Sequence, residues 1–129
     1  MQTAASIKEK LTKILLIDDS EVIIHRLTLA LYDSLPLIEV TNVLNGADAL
    51  IMIYHAMPDI VVLDLQLPDM SGIHILKIMK QNTNCPKVIV LTNNSSGYNH
   101  NECMLAGADG FFDKSTGFEE AIQHITRIR

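Results

Sequence analysis

The sequence predicts an α/β fold: one doubly wound, five-stranded parallel sheet with helices on both faces. Three observations predict it. Short apolar runs of strand length recur five times along the 129 residues. Each run is followed by a segment with helical spacing of apolar residues or with helix-capping residues. The runs are apolar at nearly every position instead of alternating, which marks strands buried on both faces.

Lys13–Ile17 (KILLI) is the first run, and it ends in Asp18 and Asp19. Asp19 and Ser20 can cap a helix, and Ile23, Ile24, Leu27, Ala30 and Leu31 then repeat at helical spacing. That helix is expected to stop near Ser34–Pro36. Residues 37–43 read as the second strand. Asn45-Gly46 turns the chain into a helix over 47–55, closed by Met57-Pro58.

The third run is Ile60–Leu63, ending at Asp64. The loop QLPDM leads to a third helix from Ser71 or Gly72, carrying Ile73, Leu76 and Met79 and ending near Asn84-Cys85-Pro86. Lys87–Leu91 is the fourth strand, ending at Thr92. The following segment is rich in Asn, Ser and Gly, which favour caps and turns over helix interiors, so a weak fourth helix is expected. Gly110–Asp113 is a short fifth strand, followed at once by Lys114. Phe118, Ala121, Ile122, Ile125 and Ile128 define an amphipathic last helix. Met1–Thr12 is polar and is expected to be an extension preceding one domain over 13–129.

Composition narrows the function. Hydrophobic content of 48% indicates a folded chain. The net charge of −5 argues against direct nucleic-acid binding, which needs clustered Lys and Arg. No apolar run reaches bilayer length and no secretory apolar segment opens the chain, so no membrane role and a cytoplasmic location are expected. Two cysteines, Cys85 and Cys103, do not make a disulfide framework or a zinc site. His100 and Cys103 lie three apart, but without further ligands they are read as surface residues.

In a parallel sheet the C-terminal strand ends share one rim, where α/β folds place their sites. Here that rim carries Asp18 and Asp19, then Asp64, Thr92 and Lys114. Each residue taken singly has a bland reading as a helix cap or turn residue. Taken together they form a chemically coherent set. Three carboxylates in one place repel unless a cation joins them, and a hard, oxygen-binding ion such as Mg²⁺ suits them. One carboxylate, Asp64, can then accept a phosphoryl group, with Lys114 supplying charge and Thr92 a hydrogen-bond donor.

The motifs IDD at 17–19, VVLDLQLPDMSG at 61–72, LT at 91–92 and GADGFFDK at 107–114 resemble those of a two-component response-regulator receiver domain, similar to the stand-alone chemotaxis type. The resemblance covers nearly the whole chain. It implies a flavodoxin-like fold with strand order 2-1-3-4-5. It also implies that Asp64 takes a phosphoryl group from a sensor histidine kinase or phosphotransfer protein. Asp18, Asp19, Asp64 and the main-chain carbonyl of Gln66 would bind Mg²⁺. Thr92 and Lys114 would contact the phosphoryl group, and Phe111 would be the switch aromatic that turns inward as Thr92 moves. The surface of helix four, strand five and helix five would then meet a downstream protein or a second copy of the chain. No chemistry beyond the domain's own phosphorylation and dephosphorylation is expected.

Three features depart from the family pattern. Asn93 follows Thr92 where a small residue is usual. Ser115 follows Lys114 where a proline in a cis peptide is usual. A cis bond before a non-proline residue costs about 3 kcal/mol, so a trans or strained loop is expected. The fourth helix is unusually polar. Other classes fit less well: a flavodoxin would not place two acids in its phosphate loop, and Gln66 stands where a haloacid dehalogenase has its second Asp. A receiver-shaped binding module that signals without phosphorylation is the alternative.

Overall fold

The computed structural model describes residues 11–129. Most of the expected extension at Met1–Thr12 lies outside the described residues. The elements are β1 (Thr12–Ile17), α1 (Glu21–Ser34), β2 (Ile38–Val43), α2 (Gly46–Ala56), β3 (Ile60–Leu63), α3 (Gly72–Met79), β4 (Lys87–Thr92), α4 (Gly97–Leu105), β5 (Gly110–Asp113) and α5 (Phe118–Ile128). All strand pairs are parallel, and the sheet order is β2-β1-β3-β4-β5. This is the flavodoxin-like arrangement expected from the sequence.

The continuous apolar strands divide by period 2 between two cores. Ile14, Leu16, Ile60, Val62, Ile89 and Leu91 face one side with Ile24, Leu27 and Leu31 of α1 and Phe118, Ala121 and Ile125 of α5. Leu15, Ile17, Val61, Leu63, Val88 and Val90 face the other, packed by Ala49 of α2, Ile75 and Leu76 of α3, and Cys103 of α4. Both faces of the sheet are therefore covered, and its C-terminal rim is left as the open edge.

Three boundaries differ from expectation, each for a local reason. β1 begins one residue early because the Thr12 N–H donates to the Leu37 carbonyl at 2.9 Å. β2 begins at Ile38, not Leu37, because Leu37 takes φ of 56°, outside the extended region. α3 stops at Met79, well short of Pro86. Gln81 and Asn82 donate to carbonyls three residues back, and Lys80 turns its Nζ onto the Pro86 carbonyl (3.1 Å) and the Asp109 carboxylate (2.9 Å). The polar fourth segment forms a nine-residue helix, started by the Ser96 hydroxyl accepting from Asn99 N–H and anchored by buried Cys103.

Candidate functional site

The sheet reverses its strand order between β1 and β3, the topological switch point where α/β folds open a crevice. β1 and β3 pair in register from Ile14↔Ile60 to Ile17↔Leu63, so the next residues, Asp18 and Asp64, stand side by side. Asp64 N–H donates to the Ile17 carbonyl at 2.9 Å, extending the ladder to the acid itself. Asp18 and Asp64 are 3% and 4% exposed, whereas Asp19 faces solvent.

Gly72 closes the loop beneath this acid. A Cβ there would lie 2.3 Å from the Asp64 carbonyl oxygen and 2.7 Å from Leu65 Cα. Only glycine permits that approach. Gly72 N–H donates to Leu65 O at 2.9 Å, and Gln66 bridges Ser71, so residues 65–72 form a tight hairpin-like turn. Asp69 ties the turn to the start of α2: its carboxylate oxygens accept from Gly46 N–H (2.7 Å) and Ala47 N–H (2.9 Å). Those two donors hold the Asp69 carboxyl below its ordinary value.

Lys114 enters from the end of β5. Its Nζ lies 2.8 Å from Asp18 Oδ2 and 2.9 Å from Asp64 Oδ2, and the side chain is 8% exposed. Burial pushes the Asp18 carboxyl up from its ordinary value, and hydrogen bonds from Lys114 and Ser20 offset part of this. Burial acts to lower the Lys114 ammonium, but the two carboxylates outweigh it and its pKa is raised. Lys114 therefore stays charged and compensates the acids.

Carboxylate oxygens of Asp18, Asp19 and Asp64 can lie within 4.8 Å of one another. Among the described residues this is the group of acidic, His or Cys side chains arranged to hold a metal ion. All three donors are hard oxygens, two buried and one open to water. That fits a divalent ion that keeps several waters, as Mg²⁺ does. Gln66 places its N–H 3.3 Å from Asp64 Oδ1, with its side chain exposed.

Thr92 ends β4 fully buried, and its Oγ1 accepts from Asn94 N–H at 3.0 Å. Its carbonyl accepts from Lys114 N–H at 3.1 Å, which links the β4 and β5 ends. Phe111 is half-buried on β5, with its ring stacked on His100 of α4 at 4.7 Å between centroids and 4° between planes. Asn93 is exposed at the rim. The peptide after Lys114 is trans, as are all described peptides. Ser115 N–H, which proline would lack, donates to Asp113 Oδ1 at 2.7 Å.

The residues at 14–126 match the family model for the response regulator receiver domain. The chain belongs to that family. It is 33% identical over 112 residues to a protein-glutamate methylesterase/protein-glutamine glutaminase of Treponema denticola, covering 84% of this chain and 30% of that protein. It is 32% identical over 117 residues to the probable transcriptional regulatory protein TcrX of Mycobacterium tuberculosis, covering 89% of this chain and 48% of that protein. The chain thus spans a third to a half of the length of these curated relatives. Among solved structures, it superposes on the signal receiver domain of a DNA-binding response regulator from Colwellia psychrerythraea, with TM-score 0.84, 27% identity and coverage of 91% and 97%. It also superposes on the BeF3-activated receiver domain of DrrB, with TM-score 0.80, 30% identity and coverage of 91% and 96%.

Receiver domains generally bind Mg²⁺ at an acidic pocket, and this chain carries the Asp18, Asp19 and Asp64 cluster. No described helix is long and apolar enough to cross a membrane. Of the residues singled out in the sequence, Asp18, Asp64 and Lys114 are in direct contact, and Asp19, Gln66 and Thr92 line the same rim. Sequence reasoning assigned no role to Ser95, Asp69 or Asp113, and it read His100 as a surface residue, which is where the structure places it. Cys103, read as a surface residue, is fully buried because α4 turns it into the core.

Proposed function

We propose that Asp64 is the phosphoacceptor of a two-component signalling protein and that phosphorylation resets the surface formed by α4, β5 and α5. The observation that carries this reading is the contact of Lys114 with both Asp18 and Asp64 beside exposed Asp19. A buried carboxyl group in contact with a cationic side chain, with further acids arranged for a metal, suits phosphoryl transfer.

In this reading an Asp64 carboxylate oxygen forms a bond to phosphorus as the bond from phosphorus to the donor's histidine nitrogen breaks. The electron pair of that bond stays on the imidazole. Asp18, Asp19, Asp64 and the Gln66 main-chain carbonyl would hold Mg²⁺, which when bound supplies charge to offset the phosphoryl oxygens. Lys114 leaves its double ion pair to meet the incoming group, and the Thr92 hydroxyl donates to it. Phe111 then turns inward behind Thr92. Dephosphorylation by water restores the resting state, and the chain needs no other chemistry of its own.

The donor would be a sensor histidine kinase or a phosphotransfer protein. The output would be a downstream protein partner, or a second copy of this chain once phosphorylated. The domain would extend from β1 to the C-terminal residue. Titrating the protein with beryllofluoride and Mg²⁺ while following amide resonances tests this. Shifts at Thr92, Phe111 and α4 that vanish in Asp64→Asn are expected. An unchanged spectrum would favour a binding module that works without phosphorylation.

A further inference from the structure

Phe111 and Asp113 are two apart on β5 and so project to the same side of the sheet. Each is held by a residue from the segment that begins α4. The Ser95 hydroxyl donates to Asp113 Oδ2 at 2.5 Å, and the His100 ring lies flat on the Phe111 ring. Asp113 cannot swing freely with the segment, because its other oxygen accepts from Ser115 N–H and Thr116 N–H at 2.7 and 3.1 Å. The segment is also internally stiff: Asn94 N–H is held by Thr92 Oγ1, and the Asn99 amide donates to the Asn94 carbonyl at 3.0 Å. Thr92, Asn94 and Asn99 are thus tied together along the segment that carries Ser95 and His100.

We propose that Ser95–Asp113 and His100–Phe111 form a two-point latch that sets the threshold of the switch. The proposal rests on the phosphoacceptor reading above and adds the residues that resist it. For Thr92 to move toward a phosphoryl group, the loop three residues on must leave Asp113. For Phe111 to turn inward, its ring must leave His100. In this proposal both contacts belong to the resting arrangement alone, so they stabilise it selectively and lower the apparent affinity of any ligand that needs the other one. A flat aromatic pair and a hydroxyl–carboxylate bond are each strong enough to matter and weak enough to break. Neither residue touches the acidic pocket, so the threshold can be altered without altering the chemistry.

The test is a beryllofluoride titration in saturating Mg²⁺ on wild type, His100→Ala, Ser95→Ala and His100→Phe, with amide and Phe111 ring resonances as readout. His100→Ala and Ser95→Ala are each expected to lower the half-saturating concentration about three- to tenfold. Their ligand-free resonances should already lie part-way along the line joining free and bound wild type. His100→Phe keeps a stacking ring and should titrate like wild type. Identical half-saturation and identical free spectra in all four proteins, with wild type responding, would overturn the latch alone. A wild type that never responds would overturn the latch together with the reading beneath it.

Discussion

The Lys114 ammonium lies 2.9 Å from Asp64 Oδ2 and 2.8 Å from Asp18 Oδ2, so one buried cation is shared by two buried carboxylates. Removing it would leave both acids facing each other without compensation. Lys114→Met is therefore expected to destabilise the protein by about 3 kcal/mol, the low end for a broken buried pair because the rim admits water. Adding Mg²⁺ should recover part of the loss, since a cation bound by the same acids replaces the missing charge. Urea unfolding with and without Mg²⁺ measures both effects. Equal midpoints for wild type and variant would contradict the shared-cation account.

A second prediction concerns the turn beneath Asp64. A methyl group at position 72 would meet the Asp64 carbonyl at 2.3 Å, and that neighbour is backbone, which cannot rotate away. Gly72→Ala is expected to cost about 1–3 kcal/mol of stability. Because the strain falls on Asp64, the variant should also bind Mg²⁺ more weakly. Denaturation and a Mg²⁺ titration monitored at the amide of Gln66 check the two parts separately.

Asp69 gives a pH-dependent prediction. Gly46 and Ala47 N–H groups hold its carboxyl below the ordinary 3.8. A folded value below the unfolded one contributes stability that is complete above the unfolded value and is lost as pH falls through the folded value. The stability gap between wild type and Asp69→Asn should be widest near neutral pH and should narrow below about pH 4. A gap that stays constant down to pH 2 would assign Asp69 a role independent of its charge.

The thiols should differ sharply. Burial pushes Cys103 up to about 11, and its side chain is fully buried, whereas Cys85 is half-buried ahead of β4. At pH 8 a thiol reagent is expected to modify Cys85 in the native protein and to reach Cys103 only on unfolding. Cys85→Ser should abolish the fast reaction. A fast reaction that survives this change would place Cys103 within reach of solvent.

Much of this was legible in the sequence because it rests on periodicity and on strand ends. Five apolar runs became five parallel strands, and the acids at 18, 19 and 64 with Lys114 met at one rim. The rim is legible because the register of a parallel sheet carries strand-end residues to a common edge. What escaped the sequence were contacts between residues distant in the chain that no local pattern encodes. Asp69 reaching back to Gly46, Ser95 gripping Asp113 and His100 lying on Phe111 all depend on loop geometry. The early end of α3 likewise depends on Lys80 finding Asp109, which lies beyond β4. Leu37 in a left-handed conformation is a local exception that propensity does not signal.

The central claim is that Asp64 accepts a phosphoryl group in a Mg²⁺-dependent reaction. Incubation with acetyl phosphate, followed by intact-mass measurement and mapping of the modified residue, tests it directly. The account predicts one added phosphoryl group on wild type, located at Asp64, lost when Mg²⁺ is chelated and absent from Asp64→Asn. Undiminished modification of Asp64→Asn, or modification of wild type that persists without Mg²⁺, would contradict it.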